Sequence, residues 1–290
     1  MLRLNDILSD AGVEPRDTVI LLHTPREAKL ARLLPFLVEA EPDFFTLFQS
    51  SHSPQATATM RGRAYVASFV RVESGTLAFT GIHRNLGVVD RPMAEIAALP
   101  QVRRLMEDFG AYQEFRTPNG RNWPWFDLEP TELMGEYFGR LQIQPRLTPA
   151  YARLAENLDA QVVALSQASV LSPAPPNWRH FLVSGPEIRA LPLSWATRLS
   201  DWRGIYLIVD ESDGARYVGS AYGTTNLLGR WRTHVANDVG VTAQLRLRNT
   251  VNFRFSILER VSPDMSPDDV IALERTWMDR LHTIEYGLNT

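Results

Sequence analysis

The stretch Gly204-Ile-Tyr206-Leu-Ile-Val209, with Arg216-Tyr217-Val-Gly219-Ser220 after it and Asp213-Gly214 between them, decides the reading of this chain. The first run is short and apolar, as a buried strand requires. Asp-Gly is a strong hairpin signal because both residues tolerate positive φ, and the second run is then the return strand. Side chains alternate faces along a strand, so the two arms can bring Tyr206 and Tyr217 to one side of the sheet.

Beyond Ser220 the period changes. Thr224 or Thr225 is available as an N-cap, and Asn226 to about Ala236 suits a helix in which Leu227 and Trp231 face the sheet while Arg230 and His234 share an adjoining face. A second helix is announced by Ser266-Pro-Asp-Asp269, a capping pattern with proline at the first helical position. Its apolar stripe is Val270, Leu273, Trp277 and Leu281. Glu274 lies beside that stripe, on the face of Val270 and Met278, which predicts a half-buried carboxylate.

These residues suit hydrolysis of a phosphodiester. The Glu274 carboxylate can hold a hard divalent cation, Mg²⁺ or Mn²⁺, that keeps most of its waters and takes its other ligands from substrate phosphate. The planar guanidinium of Arg230 can stabilise charge on phosphoryl oxygens. Tyr206 is the candidate general base or water-positioning group, a role that demands a phenol pKa lowered by the metal and Arg230. Tyr217 can hydrogen-bond the water or the phosphate, His234 can relay a proton or bind phosphate, and Asn289 can orient the site. Taken singly, each has an ordinary role: strand tyrosines pack, helix arginines are solvated, helix glutamates are exposed.

The ordered set from Trp202 to Asn289 resembles the GIY-YIG nuclease family, whose fold is a small antiparallel sheet flanked by helices. The resemblance puts Tyr206, Tyr217, Arg230 and Glu274 on the catalytic positions, and His234 and Asn289 on frequent supporting ones. One departure is that many relatives carry a further histidine or a Gly-Asn pair after the first helix, where this chain has Asp238-Val-Gly-Val-Thr-Ala-Gln244.

Composition bounds the rest. With 290 residues, 44% hydrophobic and 22% charged, the chain is long enough for two globular domains. It has no apolar run long enough for a membrane span, and charges interrupt its start at Met1-Leu-Arg-Leu-Asn-Asp6, which argues against a signal peptide and for a cytoplasmic protein without a membrane partner. The absence of cysteine excludes disulfides, thiol catalysis and cysteine-based zinc sites. There is no Walker A loop, Gly-x-Ser-x-Gly elbow or His-Glu-x-x-His helix, so helicase, hydrolase-fold esterase and zincin chemistry are disfavoured. His23, His52, His83, His180 and His282 show no ligand spacing. A net charge of −3 means that any phosphate contacts come from a local cluster, Arg230, Arg232, Arg246, Arg248 and Arg254.

Ser172-Pro-Ala-Pro-Pro-Asn177 reads as an extended linker, between an N-terminal domain at 1–171 and a nuclease domain at 178–290 with a lead-in segment. The N-terminal domain reads as α+β with a small, barrel-like sheet. Helices are predicted at Leu4–Ala11, Pro25–Glu39, Pro92–Phe109 and Pro149–Gln167. A hairpin is predicted from Tyr65–Val72 and Thr76–His83, joined through Glu73-Ser-Gly75, and a further strand at Glu136–Ile143. Asn119-Gly-Arg-Asn-Trp123-Pro-Trp125-Phe-Asp127 reads as a loop, whose Trp123 and Trp125 either fill the core or stack on DNA bases. The sequence thus predicts a metal-dependent DNA endonuclease, in defence or restriction guided by modified bases, with repair or recombination processing as the alternative. A DNA- or protein-binding scaffold is a second alternative, and a homodimer is one route to double-strand cleavage.

Overall fold

The computed structural model describes residues 2–72, 74–145, 150–237 and 241–290. The chain divides into two compact units, residues 1–172 and 173–290. Among the described residues no helix is long and apolar enough to cross a membrane.

Seven strands of the first unit form one mixed sheet: β1 (Thr18–His23), β2 (Tyr65–Arg71), β3 (Leu77–Pro92), β4 (Asn122–Pro130), β5 (Leu141–Ile143), β6 (Ala152–Leu154) and β7 (Val162–Leu165). The order is β6-β1-β2-β3-β5-β7, with β4 also on β3. Among the described residues only β1 and β2 run parallel, and β1 is buried at every position, as a strand covered on both faces should be. The sixteen-residue β3 serves β2 and β5 with its first half and β4 with its second. Register shifts occur where Gly81 and Gly87 adopt φ of 119° and 128°, which other residues avoid. Such bulges bend the strand and curl the sheet into a half-barrel.

Six helices accompany this sheet: α1 (Leu4–Asp10), α2 (Ala28–Ala40), α3 (Pro42–Phe48), α4 (Pro54–Met60), α5 (Met93–Ala98) and α6 (Pro100–Phe109). The helix expected over Pro92–Phe109 is two, because Leu99 precedes Pro100 and is held extended at φ −64°, ψ 130°. Other expectations are corrected. The described part of Pro149–Gln167 is not a helix: β6 pairs with β1 and β7 with β5, so strand pairing overrides local propensity. Of Glu136–Ile143 only Leu141–Ile143 is a strand, preceded by a 3-10 turn at Gly135–Tyr137. The hairpin of β2 and β3 is present, although Glu73 in its turn lies outside the described residues.

Asn119–Asp127 is not a loop throughout. Residues from Asn122 onward form β4, which pairs along the outer half of β3. Trp125 and Phe126 are buried, and Trp125 packs with Met93, Ile96, Val102 and Phe115. Trp123 is half-buried, and its Nε1 donates to Ser51 Oγ at 3.0 Å. Trp125 therefore has no free face for a base.

His23, His52 and His83 are buried in this unit, whereas His180 and His282 of the second are exposed. Burial holds His23 down at about 3 and the other two at about 4, so all three are neutral at pH 7. A base whose folded pKa is depressed leaves stability intact above its unfolded value and erodes it below, where the unfolded chain takes up protons that the fold refuses. We expect stability to fall from pH ~6.5 downward, by up to about 2 kcal/mol per histidine at pH 5. Urea unfolding at pH 7.5 and pH 5.0 checks this, and an unchanged midpoint removes it.

The second unit is built on four antiparallel strands, β8 (Leu182–Ser184), β9 (Gly204–Asp210), β10 (Arg216–Ala221) and β11 (Phe253–Arg260), in the order β10-β9-β11-β8. Its helices are α7 (Gly185–Arg189), α8 (Leu193–Asp201), α9 (Asn226–Ala236), α10 (Ala243–Arg246) and α11 (Pro267–Arg280). The predicted hairpin is β9-β10, with Gly214 at φ 78° in its turn. On one face of the sheet α9 buries Leu227, Trp231, His234 and Val235, and Trp231 meets Phe255 and Tyr206. On the other face Val270, Leu273, Trp277 and Met278 of α11 cluster with Ile205 and Val218. Ser266 caps α11 by accepting from Asp269 N at 3.2 Å, Pro267 opens it, and Asp268 and Asp269 complement its dipole.

Candidate active site

The register of β9 and β10 sets the site. Tyr206 lies opposite Gly219 and Tyr217 opposite Ile208, so both tyrosines project from the same face, the one covered by α9. Val218 and Ser220 point the other way, toward α11. The residues named from the sequence therefore reach the site from both sides of β10, which is an edge strand.

On the α9 face, Tyr206 Oη lies 2.7 Å from His234 Nε2 and accepts from Arg230 Nε at 3.3 Å. Arg230 also hydrogen-bonds Tyr217, and the His234 ring sits 5.5 Å from the Tyr217 ring. His234 Nδ1 is buried without a partner among the described residues. With its proton on Nε2 the neutral ring donates to Tyr206, and with its proton on Nδ1 it accepts from the phenol. Burial, then the charge of Arg230, hold His234 down at about 3 and so keep it neutral at working pH. In the Nε2–H tautomer the phenol oxygen has two donors aimed at it, Arg230 and His234, an arrangement that favours the phenolate.

Burial works against them. Desolvation, and next the neighbouring Tyr217, push the Tyr206 phenol well above its ordinary value, while Arg230 pulls it down. Tyr217 is raised chiefly by burial as well. Tyr206 is 0% exposed, with Arg230, His234 and Trp231 against it.

Gly219 explains why the motif needs glycine. A Cβ there would overlap the Tyr206 phenol and stand 2.9 Å from Tyr217 Cε1. We expect Gly219→Ala to displace the phenol, with cleavage reduced ~10²-fold and stability lowered by about 1–3 kcal/mol. Single-turnover rates and thermal unfolding check this, and wild-type values for both would remove the packing account.

On the α11 face, Ser220 Oγ donates to Glu274 Oε2 at 2.8 Å. Glu274 is half-buried, as its stripe predicted. Desolvation raises its pKa, opposed by the Ser220 hydrogen bond and Arg230. A cleft of about 500 Å³ opens here, lined among others by Ser220, Tyr222, Arg230, Thr233 and Glu274. Ser220 escaped the sequence reading, although strand alternation from Tyr217 places it on the face of Glu274.

Asn289 stands elsewhere. Its Oδ1 accepts from Val218 N at 2.9 Å and its Nδ2 donates to Val218 O at 2.8 Å, so one side chain satisfies the open edge of β10 as a neighbouring strand would. Leu288 N adds a bond to Arg216 O at 2.8 Å. Asn289 thereby steadies the strand that carries Tyr217, Gly219 and Ser220.

The proposed arginine track is uneven. Arg232 and Arg246 are exposed. Arg248 bonds Asp210 and Asp213, each at 2.8 Å, so its charge is answered by two carboxylates, and burial encloses Nη1 of Arg254. Of Asp238–Gln244, residues 238–240 lie outside the described residues.

Residues 203–286 match the GIY-YIG catalytic domain. The second unit carries a GIY-YIG catalytic domain. The chain accordingly carries a nuclease domain, and Arg230 and Glu274 of this GIY-YIG domain line the cleft just described, with Tyr206 buried behind Arg230 and bonded to it and to His234. Among solved structures, the catalytic domain of homing endonuclease I-TevI is similar at 25% identity, over 30% of this chain and 96% of that one, with a TM-score of 0.26. A point mutant of that domain matches at 24% identity, over 30% and 92%, also with a TM-score of 0.26. No curated protein matches.

A metal fits the residues present. Among the described residues no three His, Asp or Glu side chains converge, so the protein offers no cage. Glu274 with Ser220 beside it, at an open cleft, suits a hard cation that keeps most of its waters.

Proposed function

We propose that the chain is a metal-dependent DNA endonuclease acting in restriction or defence, in the cytoplasm, with the first unit selecting the DNA. The observation that carries this reading is the convergence on one cleft of a half-buried carboxylate, Glu274, and of Arg230, the arginine bonded to the Tyr206 phenol. A cation on Glu274 would polarise the scissile phosphate and neutralise charge as it develops.

The chain's own residues supply the rest. Arg230, drawn to a phosphoryl oxygen, uncovers Tyr206. The Tyr206 oxygen, once its own proton has passed to solvent and as a phenolate held by His234 Nε2–H, takes the proton of the attacking water while that water's oxygen bonds phosphorus and the P–O bond to the leaving sugar oxygen breaks, the leaving oxygen taking its proton from solvent. Tyr217 orients the water. Ser220 fixes the rotamer of Glu274. One such site cuts one strand per event, so double-strand cleavage takes two subunits or two successive cuts.

The test is incubation of the protein and its Glu274→Ala variant with Mg²⁺ or Mn²⁺ and plasmid and phage DNAs that differ in base modification. Cutting of some DNAs by the native protein alone supports the reading. Failure to cut any DNA moves the weight to a scaffold that uses a nuclease fold.

A further inference from the structure

The first unit holds a pocket that the nuclease chemistry does not use. It measures about 580 Å³ and opens where β1 ends at His23, a volume in the range of about 300–1,000 Å³ typical of small-molecule sites. β1 and β2 are the parallel pair of the sheet, and open α/β sheets bind ligands beyond the carboxyl ends of parallel strands.

Aromatic rings line the pocket in two pairs. Phe48 and Tyr112 have centroids 6.0 Å apart, and His52 and Tyr151 5.9 Å apart. Their polar atoms are already engaged: Tyr112 Oη donates to Phe48 O at 2.5 Å, His52 Nε2 donates to Gln49 O at 2.6 Å, and His52 Nδ1 accepts from Tyr151 Oη at 3.1 Å. The rings are thus held in place with their π faces as what they have left to offer.

One polar group has no such explanation. Gln49 is fully buried; its Oε1 accepts from Ser68 Oγ and from His23 Nε2 at 3.4 Å, which leaves the other His23 ring nitrogen an acceptor. Gln49 Nε2 has no partner among the described residues. A buried amide donor without an acceptor costs about 1–3 kcal/mol, and this one lies behind His23, which lines the pocket and is positioned by the Gln49 carbonyl.

We infer that this pocket binds a nucleobase, stacked on the aromatic rings, with His23 toward its polar edge and Arg26 at the rim for the phosphate. Neutral His23 can accept a hydrogen bond from a base at Nδ1 without burying charge. The inference deepens the reading of the first unit as the selector of DNA, and it moves that selection from Trp123 and Trp125 to this pocket. The base is supplied by extrusion from DNA or by a free nucleotide.

The experiment uses the full chain in EDTA. Fluorescence anisotropy measures binding to short duplexes identical but for one central cytosine, 5-methylcytosine, 5-hydroxymethylcytosine or N6-methyladenine, and calorimetry measures binding of dAMP and dCMP. Glu114→Trp closes the mouth from an exposed rim position, and Phe48→Ala removes a stacking face. One duplex bound ~10-fold or more tightly than the others, a preference lost in Glu114→Trp, supports an extruded base. Nucleotide binding lost in the same variant, with no duplex preference, supports the pocket with a free nucleotide as its source. Equal binding of all duplexes with no nucleotide binding, or binding unchanged in Glu114→Trp, overturns the inference. Phe48→Ala, checked for fold by circular dichroism, is expected to show the same loss. Because no metal is present, a protein that never cuts DNA can still pass this test, and one that cuts can still fail it.

Discussion

Tyr206→Phe is expected to bind DNA as the native protein does and to cleave it ~10²–10⁴-fold more slowly, the range lost with a general base. The substitution removes the one oxygen on which Arg230 Nε and His234 Nε2 converge. The ring itself stays packed against Trp231, so the fold has little reason to change beyond the orphaned His234 N–H, worth about 1–3 kcal/mol. Single-turnover cleavage beside anisotropy binding decides the matter; cleavage within tenfold of wild type would falsify the base assignment. The same argument fixes the role of His234. If its N–H supports the phenolate, His234→Phe shifts the alkaline-rising limb of the pH–rate profile to higher pH, and His234→Gln, which keeps a donor, restores much of it.

Glu274→Gln is expected to lose cleavage by at least ~10²-fold and yet unfold at a higher temperature near neutral pH. Desolvation raises the Glu274 pKa in the fold. For an acid this means that the ionised group weakens the fold: the penalty is absent below its ordinary value of 4.5, grows as pH rises toward the folded pKa and is full above it. Glutamine carries no such penalty and can still accept from Ser220. Each ~1 kcal/mol recovered raises Tm by about 4 °C for a unit of this size. Thermal unfolding of both proteins at pH 7.5 and pH 4 checks it: the gain should be present at the first and vanish at the second. Equal Tm values at pH 7.5 mean that Glu274 is not held at an energetic cost, while calorimetry with Mg²⁺ tests its affinity for metal directly.

Legibility differed between the two units for a physical reason. In the second, the signals are local: Asp213-Gly214 specifies a tight hairpin, alternation along β10 places Tyr217 and Gly219 on one face, and Ser266-Pro-Asp-Asp269 caps a helix whose 3.6 period half-buries Glu274. In the first unit the strands pair across long separations, β1 with β2 and β6, and β3 with β4. Nothing within Val162–Leu165 distinguishes a strand from a helix until β5 lies beside it. The indole-rich segment read as a loop for the same reason: its partner, the outer half of β3, lies far away in sequence, Trp125 pairing with Val89 and Trp123 with Arg91.

By itself the sequence determined which chemistry is present and its order along the chain, because turn, cap and periodicity signals act over a few residues and the nuclease motif is written in them. Tertiary structure alone decided what those residues face. Packing of α9 and α11 on opposite sides of β10 brings Arg230 and Glu274 to a common cleft, closes Arg230 over Tyr206, and turns Asn289 into the support of an edge strand. It also decided that Trp125 is core, and that the aromatic pocket lies at the end of β1, since burial is a property of contacts between distant segments and no local pattern carries it.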